Sequence, residues 1–131
     1  MGKYAQKAEK LFTEGYNCAQ AVFCAFAEDM GMDVKTAARI ASSFGGGMAG
    51  TRSTCGAVSG MMLVLGAMRG YGGGDEIGKR AEQFSAGRDM IDEFIDKNGS
   101  AVCRELLAEG KKRTCRELVA LAADIAEKYV I

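Results

Sequence analysis

Thr114-Cys115-Arg116-Glu117-Leu118-Val119-Ala120-Leu121-Ala122-Ala123-Asp124-Ile125-Ala126-Glu127-Lys128-Tyr129 is the stretch that decides the fold class. Thr114 and Glu117 have the spacing of a capping box, in which each side chain takes up the other residue's free backbone N–H. Leu118, Leu121, Ala122, Ile125, Ala126 and Tyr129 then recur at the three- and four-residue intervals of one helix face. The same period runs through the rest of the chain, and no segment alternates every second residue as a half-wet strand does. The expected fold is therefore all-α, a compact single-domain bundle of about six to seven helices over residues 1–131.

Working back from this helix, glycines and capping residues divide the chain. Helix 1 is expected over residues 3–14, with Tyr4, Ala8, Leu11 and Phe12 on one face and Gly15 as its stop. Asn17 caps a second helix running to Met30, apolar nearly all round and hence buried. Asp33 caps a third over residues 34–44, and a fourth runs from Cys55 to Arg69. Asp75 is expected to cap a long fifth helix to Lys97, with Ile77, Ala81, Phe84, Ile91, Phe94 and Ile95 facing inward. Ser100 opens a short sixth, stopped by Gly110.

Composition excludes several function classes. Lys+Arg and Asp+Glu balance at 17 each, so the basic patch that nucleic acid or an anionic membrane requires is missing. The run Lys111-Lys112-Arg113 reads as a solvated helix connection. There is no histidine, which removes Cys–His dyads, Ser–His–Asp triads, c-type haem attachment and every His-containing zinc site. The absence of proline suits a helical chain. The apolar run from Ala57 to Met68 is broken by Ser59, Gly60 and Gly66 and is too short for a membrane span. Residues 1–7 carry no signal-peptide core, and a myristoylation signal lacks its Ser or Thr at position 6. A cytoplasmic protein, not embedded in a membrane, is expected. In that reducing setting cysteines serve redox or metal chemistry more than static bridges.

Four of the five cysteines stand at expected helix starts: Cys18, Cys55, Cys103 and Cys115. First-turn N–H groups and the helix dipole stabilise a thiolate there. Arg52, Arg104 and Arg116 lie beside them in sequence. Cys115 falls on the stripe of Leu118, Cys103 on that of Leu106 and Leu107, and Cys55 on that of Val58 and Met62, so the thiols should converge on one interior site. Cys103-Arg104-Glu105-Leu106 recurs as Cys115-Arg116-Glu117-Leu118, which points to Cys103 and Cys115 as a pair. Cys24 is about 240° round the helix from Cys18, without a cap, and reads as a structural thiol.

Two glycine features accompany the cysteines. Residues 45–51 outline a phosphate loop, but its lysine and its preceding strand are both missing, so no nucleotide site is expected. The segment either forms an anion-binding concavity or simply needs positive φ angles. Gly56 and Gly60 share one side of helix 4, which calls for close contact with another helix or with a cofactor bound beside Cys55.

Cys18, the run Cys55-Gly56-Ala57-Val58-Ser59-Gly60, Cys103 and Cys115 together resemble the redox-active family named for a C, CGAxxG, C, C arrangement. The resemblance spans nearly the whole chain. It implies redox chemistry at those four cysteines and a functional link to a transporter, with no established substrate.

Three readings follow from the residues. In the first, the chain is an oxidoreductase or electron-transfer protein using Cys18, Cys55, Cys103 and Cys115 in thiol/disulfide chemistry with an unknown redox partner. In the second, the same four thiolates ligate zinc or an iron–sulfur cluster. In the third, they are apolar core residues of a helical interaction module of unspecified oligomeric state.

Overall fold

The computed structural model describes residues 1–131. Seven α-helices make up the architecture: α1 (Lys3–Thr13), α2 (Cys18–Cys24), α3 (Val34–Ala41), α4 (Gly56–Arg69), α5 (Ile77–Asn98), α6 (Cys103–Leu106) and α7 (Cys115–Val130), with a short 3₁₀ turn at Ser42–Phe44. There is no sheet, only an isolated antiparallel bridge between Thr54 and Val102. No helix is long and apolar enough to cross a membrane.

The helix starts follow the capping chemistry of the sequence. In α7 the Glu117 N–H donates to Thr114 Oγ1 at 3.2 Å and the Thr114 N–H to Glu117 Oε1 at 2.9 Å. A second capping box opens α2, where the Gln20 N–H reaches Asn17 Oδ1 at 2.9 Å and the Asn17 N–H reaches Gln20 Oε1 at 3.0 Å. Asp33 caps α3 by accepting from the Thr36 N–H at 2.7 Å.

Helix α2 is the centre of the molecule. It packs against α1, α3, α4 and α7, and Ala19, Ala21, Val22, Phe23 and Cys24 are all buried. Beyond its end the buried Phe26 ring stacks on Tyr4 of α1, with centroids 4.3 Å apart. Each such fully buried large side chain contributes about 1.5–3 kcal/mol relative to exposure. Gly60 sets the approach of α4: a Cβ there would stand 2.8 Å from Val22 Cβ and 3.0 Å from the Ala19 carbonyl oxygen. The close contact expected of Gly56 and Gly60 is thus made with α2.

Several expectations need correction: α3 stops at Ala41 and gives way to the Ser42–Phe44 turn, and α6 is only the turn Cys103–Leu106, with Val102 and not Ser100 as its N-cap. Helix α2 ends at Cys24 and continues to Gly31 as turns, because the Phe26 and Ala27 N–H groups reach back three residues instead of four. Helix α5 begins at Ile77, and Glu76, not Asp75, is its N-cap, with no side-chain bond. Its N-terminal half faces solvent: Ile77 is 69% and Phe84 54% exposed, and Ala81 is exposed as well. The buried residues of α5 are Gly87, Met90 and Phe94. Gly87 leaves room for Met62, whose Sδ is 3.3 Å from where a Cβ would be. Helix α5 therefore docks on α4 and α7 only through its second half.

The glycine-rich loop between α3 and α4 is conformationally demanding. Gly46, Gly47 and Gly50 have positive φ, and so do Met48 (75°), Ala49 (51°) and Arg52 (61°). Backbone bonds close it, from Arg52 N–H to Gly46 O at 3.0 Å and from Ser53 N–H to Gly47 O at 2.8 Å. Gly47 is obligatory, since a Cβ there would lie 2.6 Å from Cys103 Cβ and 2.7 Å from Arg52 Cα.

Candidate thiol site

Two loop segments that are remote in sequence bring the cysteines together. Residues 52–55 pair antiparallel with 101–104, through Cys103 N–H to Ser53 O (2.6 Å), Cys55 N–H to Ala101 O (2.8 Å) and Arg104 N–H to Arg52 O (3.1 Å). With Thr54 opposite Val102, Cys55 and Cys103 are diagonal neighbours on one side of the ladder. Such neighbours have Cα atoms about 7–8 Å apart, wider than a disulfide ordinarily spans. Cys18 enters from the first residue of α2, pressed against Gly56, whose Cβ position is 3.0 Å from Cys18 Cβ. Cys115 enters from the first residue of α7.

All four sulfur-bearing residues line one cavity of about 30 Å³, together with Arg52, Gly56, Leu106 and Leu118. Cys55 and Cys103 are buried, Cys18 and Cys115 half-buried, and none is in a disulfide. Cys24 lies elsewhere, in the groove between α1 and the start of α3, with its thiol donating to the Val34 carbonyl at 3.7 Å. Burial pushes its pKa up to about 11.

Within the cavity the thiols are not equivalent. Interaction with the neighbouring Cys18 thiol, helped by Lys111 and Arg52 and opposed by burial, lowers Cys115 to about 6. Cys18 is driven strongly the other way, by the same interaction, by burial and by its sulfur neighbours. The pair therefore loses one proton easily and keeps the second. At Cys55 burial outweighs the N–H groups of Ala57 and Val58 at the start of α4, and the thiol's pKa is raised. The lowering expected of a helix start fails at Cys55 because desolvation disfavours the charged form, and at Cys115 it comes from Cys18, Lys111 and Arg52. Arg52 Nη1 donates to Cys103 Sγ at 3.9 Å.

Cys103, which the sequence repeat pairs with Cys115, lines the same cavity, while the thiol that most affects Cys115 is that of Cys18. Arg116 turns away from the thiols to pair with Glu9 at 2.8 Å. Lys111 was read as solvated; its action on Cys115 had no signal beyond standing four residues upstream. For zinc or a cluster, the four thiols share a cavity but are not drawn into coordination: no three Cys, Asp or Glu side chains are close enough to hold a metal ion. The side chains as placed do not fit such a group.

Fold and cavity define an all-α protein with four clustered thiols. The family model described as "Putative redox-active protein (C_GCAxxG_C_C)" matches residues 16–129, and the chain belongs to that family. The match takes in all four cavity cysteines. The family label writes its second element GCAxxG, whereas this chain has cysteine ahead of glycine, Cys55-Gly56-Ala57-Val58-Ser59-Gly60. Comparison with curated proteins and with solved structures yields no match.

Proposed function

We propose that the protein is a dithiol redox protein, a single cytoplasmic domain, whose reacting pair is Cys18 and Cys115. The observation that carries this reading is the placing of Cys18 and Cys115, both half-buried and each the first residue of its helix, on one cavity with Cys55 and Cys103. It supplies a thiolate and, within reach of it, the second thiol needed to complete an exchange.

In the forward direction the Cys115 thiolate attacks one sulfur of a disulfide RSSR. A Cys115–SR bond forms, the S–S bond of RSSR breaks, and RS⁻ leaves carrying the electron pair. Cys18 gives its proton to that leaving thiolate and then attacks the Cys115 sulfur, which expels the second RS⁻. The balance is one thiol, one thiolate and RSSR going to the Cys18–Cys115 disulfide, RSH and RS⁻, with two electrons passing from protein to RSSR. Cys55 and Cys103 form the inner wall of the cavity, and Arg52 supplies positive charge at its mouth.

The test is oxidation of anaerobically purified protein by bis(hydroxyethyl) disulfide, followed by thiol counting and peptide mapping. The expected result is loss of two thiols and a Cys18–Cys115 bridge. The bridge should persist in Cys55→Ala and Cys103→Ala, and Cys18→Ser should stop at a mixed disulfide on Cys115. A bridge between other cysteines overturns the assignment. Iron or zinc near one site per chain, released on thiol alkylation, overturns it in favour of the metal reading.

A further inference from the structure

The segment that walls the thiol cavity between α3 and α4 is wound against the handedness of its residues. Every residue from Gly46 to Gly50 has positive φ, and Arg52 follows at 61°. Glycine tolerates this region, but it disfavours a residue with a side chain about five- to thirtyfold. Met48, Ala49 and Arg52 all occupy it. Left-handed residues ordinarily occur singly, and a whole turn of them persists only where other contacts hold it.

Those contacts are polar and local. Residues 48–54 are all exposed, so the turn buries almost no apolar surface. Backbone hydrogen bonds hold it, among them Ala49 N–H to Ser43 O at 2.7 Å and Ser53 N–H to Gly47 O at 2.8 Å. One side chain joins them: the Thr51 hydroxyl is shared between the Gly47 and Met48 carbonyl oxygens, at 2.9 and 2.8 Å. Both ends are fixed. Gly45 is buried against the Asn17 side chain, the N-cap of α2, with no room for a Cβ, and Arg52 begins the segment paired with 101–104. Between these ends the inner surface is bare backbone. Gly46 and Gly47 line the thiol cavity, and the buried Gly47 lies on Cys103, whose Cβ is 2.6 Å from where a Gly47 Cβ would stand.

We infer that residues 46–51 are a gate over the inner thiols. The left-handed turn is the closed state, and its unwinding between Gly45 and Arg52 uncovers Cys103. Backbone strain favours opening, and Thr51 is the latch that opposes it. Opening exchanges polar bonds for bonds to water and gives up hardly any apolar burial, so it is a local event of low cost. The gate is independent of which thiols exchange.

The test is alkylation of the reduced protein by iodoacetamide at one fixed pH, with the rate at each cysteine read by peptide mass. In the wild type Cys103 should label more slowly than in the unfolded chain. Its rate should be nearly independent of urea well below the unfolding midpoint, because a local opening exposes little surface. Thr51→Val should speed this labelling about fivefold, the worth of one neutral hydrogen bond, and Thr51→Ser should restore it. Met48→Gly and Ala49→Gly, at exposed positions, should each slow it about threefold. The strain each relieves in the closed turn exceeds the freedom glycine gains in the open one. Cys24, in the groove between α1 and α3, should label at an unchanged rate in all four variants. Cys103 labelling that climbs with urea as steeply as global unfolding overturns the inference, and so does labelling as fast as in the unfolded chain. Rates unmoved by the Thr51 and glycine variants, or moving in step with Cys24, overturn it too. The urea dependence is measured on the wild type, so it decides even where a variant fails to fold. Alkylation needs no disulfide exchange, so either result leaves the dithiol reading standing.

Discussion

On the dithiol reading, replacing Cys18 by alanine removes the neighbour that keeps Cys115 ionised. A hydrogen bond to a charged group contributes about 1.5–3 kcal/mol, or about one to two pKa units at 1.36 kcal/mol each. Cys115, held at about 6, should therefore titrate near about 7.5 in the variant, with Lys111 and Arg52 still lowering it. At pH 7 the thiolate fraction falls from about nine-tenths to about a quarter, a loss of roughly fourfold. The less stabilised thiolate is the better nucleophile, and a Brønsted slope of about 0.4–0.5 returns roughly fivefold. The two effects nearly cancel, so the rate at neutral pH is the wrong measurement. The pH profiles should cross instead: Cys18→Ala about fivefold slower near pH 5.5 and about fivefold faster near pH 9. The assay is the initial rate of mixed-disulfide formation at Cys115 with bis(hydroxyethyl) disulfide, resolved by peptide mass. Cys18→Ser keeps an O–H donor and should give an intermediate midpoint. A Cys18→Ala profile still centred near 6 would refute the reasoning, because the cations or the helix start would then be sufficient. A wild-type profile centred near the ordinary thiol value of about 8.5 would refute it more directly.

Folding stability should carry the same signature. Cys115, depressed in the fold, adds stability above its unfolded value near about 8.5 that is lost as pH falls toward about 6. Cys18, raised in the fold, adds stability at low pH that is lost as pH rises past the unfolded value, so the pair's contribution peaks near about pH 8.5. Urea titrations across that range should lose the peak in the Cys18→Ala, Cys115→Ala double variant. Gly60→Ala should cost about 1–3 kcal/mol by forcing α4 off Val22. Gly66→Ala, in the same helix with nothing near its Cβ position, should stabilise by about 0.5–1 kcal/mol; thermal melts of the two decide whether close approach or helix propensity governs α4. Phe84→Ser on the exposed half of α5 should leave stability within about 0.5 kcal/mol, checked by the same melts.

What could be read from the residues was local. The capping boxes and stripes place α1, α3, α4 and α7 to within a residue or so at most ends. Convergence was legible too, because Cys55, Cys103 and Cys115 each keep step with an apolar stripe. The inward face of α5 was not. Ile77 and Phe84 satisfy helical periodicity, but periodicity reports which face is apolar, not whether another element covers it. The true contact uses Gly87, whose small size mattered and whose lack of apolar surface hid it. The effect of Cys18 on Cys115 was likewise out of reach, since it depends on how α2 and α7 pack at their starts, and Gly56 makes that approach possible from the α4 side.

The two copies of Cys-Arg-Glu-Leu show how little local resemblance decides. Both open helices, yet α6 has 4 residues and is tied by its first N–H groups to the 52–55 segment, while α7 has 16 and a complete capping box. One arginine is drawn beside Arg52 and the other across to Glu9. A helix start stabilises an anion by about 0.3–1 kcal/mol. A hydrogen bond to the charged sulfur is worth about 1.5–3 kcal/mol, and burial acts in the opposite sense with comparable size. The helix start is thus the smallest of the three influences and cannot choose among the four cysteines. On the dithiol reading the thiolate falls to Cys115 because it combines a half-open position with the Cys18 thiol, Lys111 and Arg52 lowering its pKa. It follows that transferring the Cys115 sequence context to Cys103 would not move the reactive sulfur, whereas removing Cys18 would change its ionisation.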